Sequence, residues 1–345
     1  MKNSIMRFFV KRICIALMPF FISVWASEMP EIFSKSARLE TKDPWNFSVN
    51  VAFNEYQAVQ DSMELAYMSS ASSRVSDGSL LVLDYDYHPG FEIGFVLNLP
   101  YDFWSLGGEF FWYQGNSHKK KTAEEPQYYL SPLFVGDSPL IRSIDANWKL
   151  YVDVADLYLS RPYYSGEKWS VVPRAGFRGT WISQRFTVDA NLFDEDPVAQ
   201  SVEMKSKSWA IGPGVGCQTN FLLGAGVSLF GDLATSIVYT RYNKIDAKFS
   251  NSLGQKAHPS NNLLGTVRPN IDAGLGIEWD SLLAFSSGSY EWQKTFYLNL
   301  SASYNFSVFF AQNMGVALVS AADNSDSTPG NLYLQGLTIS LALVF

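Results

Sequence analysis

Cysteine is nearly absent from this chain. Cys14 and Cys217 are its only two, and Cys14 falls in a stretch read below as a removable leader, so no intramolecular disulfide framework supports the fold. Histidine is scarce as well: His88, His118 and His258 are all there is. No His-x-Glu, Glu-x-x-His or Cys/His pairing at metal-ligand spacing occurs, which leaves zinc chemistry and the common catalytic dyads without their parts. Beyond residue 26 no apolar run approaches the ~20 residues a spanning helix needs. Positive charge is short too, with 26 Lys+Arg against 33 Asp+Glu, and that balance argues against nucleic acid as a partner. Nothing in the residues calls for a cofactor.

What the chain has is a leader, aromatics and alternation. Lys2, Arg7, Lys11 and Arg12 precede an apolar run from Ile13 to Trp25, and Val24 and Ala26 supply small residues for a cut after Ala26. That reads as a secretory signal, residues 1–26, and therefore as export. Its removal takes four basic residues and no acidic one, leaving 22 against 33, a net charge of −11. Residues 27–44 are polar and non-periodic, a periplasmic N-terminal segment. Residues 45–345 read as one outer-membrane barrel.

The barrel reading rests on period two. Trp45, Phe47, Val49, Val51 and Phe53 alternate with Asn46, Ser48, Asn50, Ala52 and Asn54, and Met63, Leu65 and Tyr67 extend this first strand past an irregular middle at Gln57 to Asp61. A second strand runs from Leu81 to Leu99 and a third from Trp104 to Trp112. Residues 115–147 then form a long polar loop. Further strands cover Trp148 to Leu159, Trp169 to Trp181, Trp209 to Thr219, Ala225 to Tyr239, Val267 to Trp279, Trp292 to Tyr304 and Asn331 to Phe345. Polar loops at Asp189 to Lys207, Tyr242 to Asn262 and Gln312 to Gly330 alternate with short turns. The count is ten, within a range of eight to twelve. Short periplasmic turns, long extracellular loops and an even number of antiparallel up-and-down strands are what a transmembrane β-barrel requires. Tryptophans 45, 104, 148, 169, 181, 209, 279 and 292 fall at or near strand ends, where an interfacial aromatic belt would hold them. In the last strand Ile339, Leu341, Leu343 and Phe345 share one face, an assembly signal for the outer-membrane barrel machinery.

Several segments resemble a known family. Gly90-Phe-Glu-Ile-Gly94, Trp104-Ser-Leu, Val172-Pro-Arg-Ala-Gly-Phe-Arg178, Ile211-Gly-Pro-Gly-Val-Gly216 and Leu334-Gln-Gly-Leu-Thr338 are similar to the pore-forming outer-membrane proteins of Legionella and environmental chlamydiae. The resemblance implies a porin-type major outer-membrane protein. Some chlamydial relatives are cysteine-rich and cross-linked; Cys217 alone offers little for such a network.

Strand phase nominates a lumen. Arg174, Arg178, Arg268, Asp272 and Glu278 share the inward phase, and Glu109, Lys149, Asp153, Asp84, Asp86 and Glu92 are assigned to it as well. A charge facing lipid at mid-bilayer costs about 2–4 kcal/mol, whereas a wet lumen keeps it hydrated. Two readings stay open: a channel for passive diffusion of small hydrophilic solutes or ions, or a closed barrel acting through its loops as an adhesin or structural envelope protein. A rim enzyme is disfavoured because the histidines have no partners in sequence. Expected partners are outer-membrane lipid and lipopolysaccharide, which the Lys119 to Lys121 run could touch, the assembly machinery, small solutes and further copies of the chain.

Overall fold

The computed structural model describes residues 47–61, 65–70, 76–100, 102–123, 127–130, 141–165, 168–192, 199–251, 256–257, 260–261, 264–285, 294–313 and 330–344. Ten long strands form the wall: β1 (Phe47–Gln60), β2 (Tyr87–Asn98), β3 (Ser105–Thr122), β4 (Ile141–Ser160), β5 (Trp169–Leu192), β6 (Ala199–Gly224), β7 (Val227–Asn251), β8 (Leu264–Phe285), β9 (Lys294–Asn313) and β10 (Gly330–Val344). Each pairs antiparallel with its neighbours in sequence. β1 then pairs with β10, from Ser48↔Val344 to Gln60↔Leu332, and the sheet closes without an edge. At the level where all ten strands are paired, closure gives each of them two hydrogen-bonded neighbours, as a wall inside lipid demands.

The tight turns lie at the end that holds Phe47 and Val344. Leu99 N donates to Trp104 O across one of them. Ala225 and Gly226 both take positive φ, 52° and 75°, the two-residue hairpin geometry whose twist matches the flanking strands. By the rule that short turns are periplasmic, this end faces the periplasm.

Side chains divide the wall into two tiers. Below, the outward face is apolar: Phe47, Val51 and Phe53 on β1, Leu157 and Leu159 on β4, Phe177 on β5, Ile211 and Val215 on β6, Leu233 and Ile237 on β7, and Leu337, Ile339 and Leu341 on β10 are all exposed. The band ends upward in aromatic residues, among them Tyr87, Trp112, Tyr151, Trp181 and Tyr239, and downward in Phe103, Trp104, Tyr163 and Trp169. On β5, Trp169 and Trp181 are about 12 residues apart, ~40 Å along the strand at ~3.3 Å each. At a tilt of ~45° that is ~28 Å of height, close to the ~25 Å apolar band of such barrels.

The strands do not stop at that belt. β3, β4, β5, β6 and β7 continue well beyond it, and the chemistry of their two faces exchanges. On β4 the exposed side chains Leu157 and Leu159 give way upward to Asp153, Lys149 and Asn147 on the same face. Val154, Val152, Leu150, Trp148, Ala146 and Ile144 are buried on the other. Ile182, Phe186, Val188 and Ala190 of β5 and Val202 and Met204 of β6 join them in one core inside the barrel. Leu65, Ala66 and Leu83 from the β1–β2 connection pack onto it, where the short strands Ala66–Ser70, Ser76–Leu81 and Gln127–Leu130 form a small sheet continuous with β4. The upper tier is built like a water-soluble barrel, polar outside and apolar within.

Several expectations change accordingly. Residues 115–122, 141–147, 189–192, 199–207 and 242–251 belong to strands rather than loops, and the β5–β6 connection shrinks to 193–198. β1 runs unbroken to Gln60, while Leu65 and Tyr67 lie in the β1–β2 connection and Met63 lies outside the described residues. β2 begins at Tyr87, with residues 82–86 irregular before it. Trp148 is not in the belt; it is 1% exposed inside the upper core, edge-on to Tyr85. Trp181 and Trp209 lie mid-strand, because their strands continue above the membrane. Trp45, Trp292 and Phe345, along with residues 1–44, lie outside the described residues.

Candidate functional site: charged pairs across the lumen

At mid-height of the lower tier the inward side chains meet across the bore. Arg178 on β5 grips Asp156 on β4 through both guanidinium edges, Nε to Oδ1 at 2.8 Å and Nη2 to Oδ2 at 2.7 Å. Its Nη1 also bonds Asp272 on β8. The planar fork of arginine suits this double engagement, and bidentate pairs are among the stronger charge-assisted contacts. Four residues lower on β5, Arg174 Nη2 donates to Asp232 Oδ1 of β7 at 2.8 Å. The Arg174 guanidinium also lies 5.4 Å over the Tyr158 ring, and Tyr158 Oη donates to Glu109 Oε1 at 2.7 Å. Glu92 on β2 lies in the electrostatic field of Glu109 and Arg174. A Cβ on Gly216 would stand 2.8 Å from Arg174 Nε, so glycine there makes room for the guanidinium.

Two arginines thus tie β5 to β4, β7 and β8 through carboxylates. Five carboxylates (Glu92, Glu109, Asp156, Asp232 and Asp272) surround them, an acidic excess. Below the crossbars a cavity of about 200 Å³ faces the periplasmic mouth, lined by Asn98, Ser105, Ser160, Ser170, Gln218 and Asn220 with Arg174 in its lining. Above, the lumen is asymmetric. The β3–β6 side is the apolar core. The opposite side is polar: Asn54 of β1, Ser236 and Thr240 of β7 and Asn270 of β8 are buried, and their side-chain polar atoms find no protein partner among the described residues.

Of the residues assigned to the lumen from sequence, Arg174, Arg178, Glu109, Glu92 and Asp272 meet in this cluster. Arg268 and Glu278 also point inward but lie apart from it. Arg268 is buried higher up, over the Tyr242 ring and bonded to Phe310 O at 3.4 Å and to Ala311 O. Glu278 is 3% exposed near the periplasmic end and accepts from Asn299 Nδ2 at 3.4 Å. Four assignments fail. Lys149 and Asp153 point outward, since on β4 the apolar residues above the belt face in and the polar ones face water. Asp84 and Asp86 precede β2 on the extracellular side, where exposed Asp84 pairs with Lys119 at 2.5 Å. Asp156, Tyr158 and Asp232 were missed. Placing Lys149 and Asp153 inward forces Asp156 and Tyr158 outward, because one step of slip exchanges the faces.

The two histidines among the described residues, His88 and His118, stay away from the lumen cluster, and His258 lies outside the described residues. His118 Nε2 lies 2.9 Å from Asp145 Oδ1 on the outer surface, and His88 Nε2 is 2.5 Å from Asn116 O. Ile339, Leu341 and Leu343 lie along the outward face of β10.

A family model described as Legionella pneumophila major outer membrane protein precursor matches residues 40–345. The chain belongs to that family. It is an outer-membrane β-barrel, and the outer membrane is its location. No protein with a curated description matches it in sequence. Among solved structures it is similar to the outer membrane protease OmpT from Escherichia coli, at 10% identity over 89% of this chain and 99% of that one, TM-score 0.43. It is also similar to a major outer membrane protein from Thermus thermophilus, at 12% identity over 88% and 100%, TM-score 0.31. A third is the attachment invasion locus protein Ail of Yersinia pestis, at 12% identity over 88% and 100%, TM-score 0.25. At these scores none of the three bears on activity.

Proposed function

We propose that this barrel is a porin-type channel of narrow bore, passing small hydrophilic ions by diffusion, with cations favoured. The observation that carries the reading is the set of charged pairs across the lumen at mid-membrane depth. Ionisable side chains there are costly to keep and mark an ion path by default. Five carboxylates around two guanidiniums make that path acidic, and a ring of one sign selects against the other. Buried polar atoms of Asn54, Ser236, Thr240 and Asn270 without protein partners cost about 1–3 kcal/mol each unless hydrated, so the β1–β7–β8 side is where water would run. The crossbars and the apolar core make the bore narrow, and conductance is expected to be far below that of an open diffusion pore. No reaction is assigned.

A second reading has its own support. The apolar core of the upper tier closes the β3–β6 side of the lumen, which suits a closed envelope or adhesive barrel working through its extracellular tier. Planar-bilayer recording of the refolded protein separates the two, wild type beside Arg174→Ala/Arg178→Ala. The channel reading expects small cation-preferring steps that grow in the double variant, because the crossbars go and the carboxylates stay. Silence from both proteins, each checked as folded by heat-modifiable mobility, would rule the channel out in favour of the closed barrel.

A further inference from the structure

Just above the aromatic belt, on the outer surface, the strands carry cations side by side. Lys149 on β4 is the register partner of Arg185 on β5, and Arg185 is that of Lys205 on β6. One step lower, Lys207 on β6 faces Lys244 on β7. Arg241 on β7 faces Trp209 itself. Like charges directly opposite one another destabilise a sheet, and this patch stacks three such pairs in a chain whose net charge is −7.

Internal carboxylates neutralise only part of it. Glu203 serves both Lys205 at 2.8 Å and Arg185 at 3.4 Å, and Asp246 reaches Lys244 at 3.6 Å. Lys149, Lys207 and Arg241 are exposed and have no ion-pair partner among the described residues. Lys207 is two residues above Trp209, ~6.6 Å along the strand. The lipid-facing side chains Trp181, Ile211 and Tyr239 lie directly beneath.

We propose that this basic row binds the phosphate groups of a phosphorylated glycolipid of the outer leaflet, with its acyl chains on the apolar band below. Position selects the lipid over a free anion. The cations begin where the apolar surface ends, at the height of headgroup phosphates, and a single ligand satisfies both surfaces. The phosphates relieve the like-charge repulsion that Glu203 and Asp246 offset only in part. The inference rests on the placement of the membrane boundary and is independent of whether the lumen conducts.

The test uses the folded protein in detergent micelles and native mass spectrometry. The probes are diphosphorylated lipid A, its dephosphorylated counterpart and inorganic phosphate. Wild type should retain the diphosphorylated lipid in preference to the dephosphorylated one. Lys149→Gln/Lys207→Gln/Arg241→Gln should weaken retention roughly a hundredfold, a few-fold for each cation removed beside a charged membrane surface. Lys119→Gln/Lys121→Gln, off the row, should leave it unchanged. If the triple variant does not give a heat-modifiable barrel, Lys207→Gln alone should still lower retention a few-fold. Equal retention of the two lipids, unchanged binding in the folded triple or single variant, or full displacement by inorganic phosphate would each overturn the proposal.

Discussion

The two halves of β5 are a controlled comparison within one strand. From Trp169 to Trp181 the outward face carries Val171, Ala175 and Phe177, and the inward face carries Arg174 and Arg178. From Ile182 to Leu192 the inward face carries Ile182, Phe186 and Val188, and the outward face carries Arg185 and Asp189. The pleat runs through without a bulge, and the β4–β5 register shifts only at its far end. Only the surroundings change. Lipid outside and polar contacts inside become water outside and a packed core inside. The lesson is that alternation reports which face is apolar, and the solvent at that height decides what apolar means.

The comparison is broken most severely from the upper core. Trp148→Ala removes a large, fully buried side chain, and such truncations cost about 3–5 kcal/mol. Proteolysis of the refolded barrel should then nick β3–β6 above the belt while the lower tier stays protected. Uniform protection would mean the upper core contributes little.

Arginine placed on the outward face at two heights sharpens the boundary. Phe177→Arg, in the middle of the band, should cost about 2–4 kcal/mol in a lipid-bilayer folding titration. Thr187→Arg, three steps above Trp181 on the same face and the register partner of Glu203, should stay within about 0.5 kcal/mol. Equal costs at the two sites would erase the boundary.

The smallest effect expected is at alkaline pH. Burial pushes the Tyr85 phenol, on the extracellular side, up from 10.0 to about 12, and its hydrogen bond to Gln60 O offsets this in part. A folded-state pKa above the unfolded one means the folded state holds the proton more tightly. Its stabilising contribution is therefore complete below pH 10 and fades as pH rises towards 12. Tyr85→Phe should flatten part of the loss of upper-tier protease resistance over that window. An unchanged profile would mean that Tyr85 does not carry the loss.

Much of the fold was legible because the lower tier obeys one rule. Phe47, Val49, Val51 and Phe53, or Ile339, Leu341 and Leu343, announce lipid on one face, and ten such stretches give the strand number. Arg174, Arg178, Glu109 and Asp272 were readable as luminal for the same reason: each is charged in the phase opposite to exposed apolar neighbours. The strand ends were not legible. Polar Lys205, Lys207, Asn116 and Lys120 look like loop when polarity is read as the end of a strand, yet they are the wet outer face of strands that continue. Lys149 and Asp153 were misassigned on the same ground. The signal was nonetheless present on β4, where the apolar phase shifts from Leu157 and Leu159 to Val154, Val152, Leu150 and Trp148 with no turn residue between.

Spin-label accessibility along β5 tests the two-tier account most directly. Single cysteines at 175, 177, 183, 185 and 187 outward and at 182, 186 and 188 inward, in a Cys217→Ser background, would be compared for collision with oxygen and with a water-soluble nickel chelate. The account predicts oxygen-rich labels at 175 and 177, nickel-accessible labels at 183, 185 and 187, and labels shielded from both at 182, 186 and 188. Oxygen-rich labels throughout the outward series, or nickel access at 182, 186 and 188, would contradict it: the first by carrying the lipid past Trp181, the second by making the upper lumen an open, wet bore.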